Sequence, residues 1–167
     1  MDDYIRYSQY AEGAGKNEVT ILWGTMYGMT AKAVDYAESI LQREGVKYNK
    51  LEMPLESDSE MVATVFKSAG IIIAAPTYEY KLFPPVAAAL NELGRKRITG
   101  KAAFRFGSYG WSGGAEKELS EIIERNKMNW DFIESVEFGG APKEEDFNMV
   151  EARVLELIEK MKEKIVE

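Results

Sequence analysis

The chain has 167 residues, 46% of them hydrophobic, with 21 basic against 28 acidic side chains for a net charge of −7, a size and balance suited to one globular domain rather than a fibre or a disordered tail. It contains no Cys and no His, which removes disulfides, thiolate and imidazole metal sites, thiol nucleophiles and the Ser-His-Asp triad, leaving carboxylate metal sites, Lys or Tyr chemistry, or a cofactor that brings its own reactivity. The acidic balance disfavours nucleic acid and anionic membranes. No apolar run reaches the roughly 20 residues of a membrane span, and the acidic start Met1-Asp2-Asp3 is unlike a signal peptide, so a cytoplasmic protein is expected.

In chain order, Tyr4, Tyr7 and Tyr10 recur every three residues ahead of Gly13-Ala14-Gly15, which predicts a short helical lead-in and a flexible joint. Val19-Thr20-Ile21-Leu22-Trp23 has the β-branched, apolar character of a buried strand. Ala33, Val34, Ala37, Ile40 and Leu41 then fall at helical spacing up to Gly45. Val46 to Glu52 reads as an edge strand, and Ser57 with Glu60 has capping-box spacing ahead of Met61, Val62, Val65 and Phe66.

Gly70 to Ala75 is apolar throughout, as a strand covered on both faces would be. Pro84-Pro85 opens a helix carrying Val86, Leu90 and Leu93, and Lys101 to Gly107 is a fourth strand with Arg105 inside it, a cation that must snorkel or meet a carboxylate. A helix with Ala115, Leu119, Ile122 and Ile123 follows, then a fifth strand from Phe132 to Phe138. A last helix begins with the acidic turn Glu144-Glu145-Asp146 and carries Val150, Val154, Leu157, Ile158, Met161 and Ile165. Strands alternating with helices in this way give a doubly wound parallel α/β sheet, because parallel neighbours need right-handed crossovers.

In such sheets a ligand lies beyond the carboxyl ends of the strands, so the loops after the first, third and fourth strands matter. Thr25-Met26-Tyr27-Gly28-Met29-Thr30 has a hydroxyl at each end, a glycine and the amides of a helix start, which suits a phosphate. It lacks the Gly-Lys-Ser/Thr ending of a P-loop and the three glycines of a nicotinamide turn. Pro76-Thr77-Tyr78-Glu79-Tyr80-Lys81-Leu82-Phe83-Pro84-Pro85 could present aromatic faces to a flat ring, and Gly107-Ser108-Tyr109-Gly110-Trp111-Ser112-Gly113-Gly114 allows close approach beside two aromatics. Taken singly, each loop also admits a plain structural role: helix capping by Thr25 and Thr30, packing by the tyrosines, a glycine-rich connection. Together they fit a mononucleotide with a planar head.

The loops TMYGMT, PTYEYKLFPP and GSYGWSGGA resemble those of the flavodoxin family, and most closely the flavodoxin-like domain of flavodiiron proteins. Tyr4 to Asn17 is similar to the linker that there follows a diiron domain; with no histidine to ligate iron, that domain is not expected here. The resemblance implies a flavodoxin-like three-layer sandwich, a five-stranded parallel sheet in the order 2-1-3-4-5 with helices on both faces, over residues 19–167, behind a linker-like segment of residues 1–18. It implies FMN as cofactor, with Thr25, Met26, Tyr27, Gly28, Met29 and Thr30 around the phosphate. Pro76, Thr77, Tyr78, Glu79, Tyr80, Ser108, Tyr109, Gly110, Trp111, Gly113 and Gly114 would flank the isoalloxazine. Glu79, Tyr80 and Lys81 depart from the Asn and Gly more usual there.

On this reading the chain is an electron carrier that serves redox partner proteins through an exposed flavin edge, with no catalytic side chain and no metal; a homodimer is compatible with it. Two alternatives stay open. One is an FMN-dependent NAD(P)H:quinone reductase, the other a flavin-free binding or regulatory module on the same fold. A receiver domain is set aside, because Ala75-Pro76 stands where its acidic phosphoacceptor would be.

Overall fold

The computed structural model describes residues 5, 9–10, 13–26, 28–54, 57–110 and 113–166. Tyr4, Tyr7, Tyr27, Trp111 and Ser112, which figure in the sequence reading, lie outside the described residues. The strands are β1 (Lys16–Trp23), β2 (Lys47–Glu52), β3 (Ser68–Ala74), β4 (Thr77–Tyr78), β5 (Lys81–Leu82), β6 (Ala102–Tyr109), β7 (Asp131–Phe132) and β8 (Val136–Gly139). The helices are α1 (Met29–Arg43), α2 (Asp58–Lys67), α3 (Pro84–Arg95), α4 (Ala115–Arg125) and α5 (Glu144–Met161).

Among the described residues the main sheet runs β2-β1-β3-β6-β7, with β8 also on β6, and every pairing in it is parallel. β3 is buried along its whole length, as its unbroken apolar run requires. Alternation splits the core in two. Val19, Ile21, Ile72, Phe104 and Phe106 pack on α1 and α5, while Leu22, Ile71, Ile73 and Ala103 pack on α2, α3 and α4. A flavodoxin-like three-layer α/β sandwich results, and because the strands are parallel, their carboxyl ends share one edge.

Four details differ from the sequence expectations. The fifth strand is not one run from Phe132 to Phe138. Phe132 stands opposite Ala103 and Val136 opposite Phe106, so four steps there match three on β6, and the extra residue breaks the strand into β7 and β8 as a bulge does. The segment Thr77–Leu82 forms an antiparallel hairpin, β4-β5, off the main sheet. β1 starts at Lys16 rather than Val19, because Lys16 already pairs with Ser68.

The fourth difference concerns Gly13-Ala14-Gly15, which is clamped rather than a flexible joint. Gly15 N–H donates to the Lys164 carbonyl at 2.8 Å and Val166 N–H to the Gly15 carbonyl at 2.9 Å. A Cβ on Gly13 or Gly15 would stand 2.5 Å from backbone of Gly100 or of Ser68 and Ala69. The glycines there permit close approach. Beneath them the buried Lys101 ammonium donates to the carbonyls of Ala14 (2.7 Å) and Phe66 (2.8 Å). Burial, with the charge of Lys164 adding to it, pushes that ammonium down to about 7.

Local signals hold elsewhere. Ser57 Oγ accepts the Glu60 N–H at 3.3 Å at the start of α2, and Asp146 accepts the Lys143 N–H at 2.8 Å at the start of α5. Trp130 is buried, its indole N–H donating to the Ile98 carbonyl at 2.9 Å.

Candidate functional site

β1 ends at Trp23 and the chain turns through Gly24, Thr25 and Met26 into α1. Gly28 caps that helix at φ 77°, the left-handed region that glycine enters without penalty. Among the described residues no side chain caps the N-terminus, and its first turn holds no acid, so no described side chain answers its leading amides and the positive end of its dipole. Thr25 Oγ1 is buried there with no hydrogen-bond partner. An orphaned hydroxyl beside an uncapped helix start is what an anionic group would satisfy. Thr30 is engaged differently. It is fully buried, its hydroxyl 3.2 Å from Ser108 Oγ and accepting the Ser108 N–H at 3.4 Å, and so ties α1 to the end of β6. A Cβ on Gly28 would meet open space, so the demand at that position is conformational and not steric.

After β3, Ala75 and Pro76 lead into the hairpin, whose turn residues Glu79 and Tyr80 have φ of 47° and 66°. Two consecutive left-handed residues make the tight turn that matches the twist of paired strands; non-glycine side chains resist it. Tertiary contacts impose it. Leu82 N–H donates to Glu118 Oε1 on α4 at 3.0 Å, and Phe83 N–H to the Pro76 carbonyl at 3.0 Å. A Cβ on Gly114 would lie 2.0 Å from the Tyr80 carbonyl oxygen, so glycine lets α4 start directly against the turn. Thr77 Oγ1 is a second buried hydroxyl without a partner. Tyr80 is 71% exposed, an aromatic held at the rim of a cavity.

These loops enclose a cavity of about 560 Å³ lined by Met26, Met29, Pro76, Thr77, Tyr78, Glu79, Tyr80, Ser108, Tyr109, Gly110 and Gly140. The fold thus brings ten of the sequence-predicted residues to one wall. Thr25, Gly28, Thr30, Gly113 and Gly114 lie around it without lining it, and Tyr27 and Trp111 lie outside the described residues. Gly140, at φ 71° just beyond β8, was missed; the glycine pair Gly139-Gly140 after the fifth strand carried the same signal as the other loops. A larger depression, about 660 Å³, lies between Lys16, Lys47 and Lys67 at the amino ends of β1 and β2, away from the three loops.

The lining suits a flat, largely apolar ring, with methionine, tyrosine and proline to flank it and few polar groups to orient it. Nearby, Thr25 Oγ1 and the α1 amides suit a phosphate. Residues and ligand class fit: two orphaned buried hydroxyls stand in the loops that would need donors. The described residues contain no cluster of three or more His, Cys, Asp or Glu able to hold a metal ion, and none of their helices is long and apolar enough to cross a membrane.

Arg105 finds its carboxylates at this same edge. It is fully buried, with Nη1 at 3.3 Å from Glu116 and 3.2 Å from Glu137 and Nη2 donating to the Ala75 carbonyl at 2.9 Å.

No family model matches the chain. A nitric oxide reductase from Moorella thermoacetica is 27% identical over 122 residues, covering 73% of this chain and 31% of that protein. The flavodiiron protein from Giardia intestinalis superimposes with a TM-score of 0.85 at 24% identity, covering 98% of this chain and 40% of that one. A flavodoxin from the domain Archaea superimposes with a TM-score of 0.72 at 20% identity, covering 87% of this chain and 99% of that one. This chain therefore spans about a third of the curated relative and matches a whole flavodoxin in extent. It has a flavodoxin-like fold, the fold it shares with that flavodiiron protein and that flavodoxin, and over most of its length it is similar in sequence to the nitric oxide reductase.

Proposed function

We propose that this chain binds FMN at the edge formed by the Thr25, Pro76 and Ser108 loops and carries electrons between redox partner proteins. The observation that carries the reading is the pairing of an uncapped α1 start and an orphaned Thr25 hydroxyl with a ring-sized, largely apolar cavity next to them. Thr25 and the α1 amides would donate to the phosphate, and the Thr77 hydroxyl would find a partner on the cofactor. Met26, Met29, Tyr78, Tyr80 and Tyr109 would flank the ring and keep water from it. Bound FMN supplies the redox chemistry; the protein supplies orientation, burial and field. Tyr80, standing exposed at the rim, leaves an edge by which a partner could approach. The net charge of −7 suits partners with a basic or neutral docking face.

The test is direct. Purified protein should be yellow and release FMN on denaturation, and the FMN-free protein should quench FMN fluorescence on titration and bind riboflavin more weakly, by the phosphate contribution. Colourless protein that ignores added FMN would overturn the reading in favour of a flavin-free module. Steady NADH oxidation with a quinone and no partner protein would replace the carrier with a quinone reductase.

A further inference from the structure

We infer that Arg105 is a positioning residue of the cofactor site: one buried guanidinium sets the spacing of three of the four segments around the cavity, all but the one carrying Met26 and Met29. This rests on the FMN reading above. Arg105 itself does not line the cavity, so it acts through the groups it holds.

Its partners lie on three separate elements. Nη2 holds the carbonyl of Ala75, the residue that leads from β3 into Pro76 and the hairpin. Nη1 faces Glu116 in the first turn of α4, just after the Ser108 loop, and Glu137 on β8, three residues before Gly140. Glu116 is itself steadied, its other oxygen accepting the Ser135 hydroxyl at 2.9 Å.

The surroundings are shaped to this fork. A Cβ on Gly107 would sit 1.8 Å from the Ala75 oxygen and 2.9 Å from Arg105 Nη2, so only glycine lets the carbonyl reach the guanidinium. The two carboxylates are 44% and 26% exposed and would be well solvated without the arginine, whereas Arg105, at 0%, depends on them. A buried cation of this kind is a weak source of stability compared with an apolar side chain of the same volume. What a planar, multiply donating group provides instead is direction: it fixes one carbonyl and two carboxylates at once, which an ammonium on a flexible stem does not. The cavity wall then inherits its geometry from the guanidinium.

The experiment uses the full chain with FMN as probe, comparing parent, R105M, R105K and E137Q. Dissociation constants come from flavin fluorescence, the ring's environment from visible circular dichroism at saturating FMN, and fold integrity from thermal unfolding of the FMN-free proteins. R105M should unfold cooperatively near the parental temperature, bind FMN tenfold or more weakly, and alter the visible dichroism even when saturated. R105K should keep the charge yet fail to restore that spectrum, because its ammonium cannot span the three partners. E137Q, which loosens β8 alone, should shift the spectrum in the same sense by less; it decides the matter if R105M does not fold.

Parental affinity and dichroism in R105M, or in E137Q where R105M is unfolded, would overturn the inference, as would an affinity loss with an unchanged saturated spectrum. If the parent itself does not bind FMN, the cofactor reading fails, and with it the role assigned to Arg105.

Discussion

Gly114→Ala tests the contact that forces the hairpin turn into its shape. The added Cβ would lie 2.0 Å from the Tyr80 carbonyl oxygen, 2.6 Å from its carbonyl carbon and 3.0 Å from its Cα, all backbone. Real Cβ atoms keep at least 3.0 Å from such atoms, so the turn or the start of α4 must retreat by about 1 Å. Overpacking of this kind costs about 1–3 kcal/mol. In a domain of this size each kcal/mol lowers the melting temperature by about 2–4 °C. The displaced turn carries Tyr78, Glu79 and Tyr80 along the cavity wall, so FMN affinity should fall about tenfold, the equivalent of about 1.4 kcal/mol.

Gly110→Ala is the control for stability alone, since Gly110 itself lines the cavity. Its Cβ would meet nothing within 4 Å and its φ lies outside the left-handed region, so stability should stay within about 0.5 kcal/mol of the parent. Thermal unfolding of the FMN-free proteins and fluorescence titration with FMN read both quantities. Parental melting temperature and affinity in Gly114→Ala would refute the argument that backbone contact, and not local preference, holds Glu79 and Tyr80 at positive φ.

Three further outcomes are expected. Thr25→Val deletes a buried hydroxyl that has no partner among the described residues, so FMN-free stability should be unchanged or slightly raised while FMN binding loses about 1–3 kcal/mol; riboflavin affinity, measured in parallel, should barely move. Lys101 gives a pH dependence. Its pKa drops from 10.5 when unfolded to about 7 when folded, so between those values the unfolded chain binds the extra proton and stability rises with pH; below about 7 both states are protonated and the dependence levels off. Subtracting the Lys101→Met profile from the parent's, by urea unfolding from pH 6 to 10, should leave a positive slope of no more than a few kcal/mol in total; a flat difference would contradict it. Reductive titration should place the reduced couple of bound FMN below that of free FMN, because a wall with one acidic side chain, Glu79, and no basic one, in a chain of net charge −7, disfavours an anionic reduced ring.

The layers of the fold and the edge where the candidate cavity lies were legible because they rest on periodicity. The apolar run of β3 demanded cover on both faces, the spacing of Val150, Val154, Leu157 and Met161 gave α5 its buried stripe, and parallel strands oblige their carboxyl ends to share an edge. Ser57 was legible as a cap, and Asp146 as part of an acidic first turn, because helix starts are settled within four residues. The bulge that divides β7 from β8 was not, since nothing between Phe132 and Phe138 interrupts strand character; the register that breaks it is set by β6, across the sheet.

The site shows the same division more sharply. Thr25 was read as a donor from its place before a helix, and its orphaned hydroxyl agrees with that local logic. Thr30, five residues further on in the same signal, spends its hydroxyl on Ser108, a residue 78 positions away. At Glu79 and Tyr80 local preference points the wrong way: neither is Asn, Asp or Gly, yet both occupy the left-handed region. The turn is held by Glu118 from α4, by the missing side chain of Gly114, and by an Ala75 carbonyl pinned from beneath by Arg105. Each is a contact between segments far apart in the chain, so no window around Glu79 contains the cause of its conformation. A loop whose geometry is imposed from three sides in this way changes when its supports change, even if its own residues do not, and that makes Gly114 and Arg105 better places to perturb the site than the turn itself.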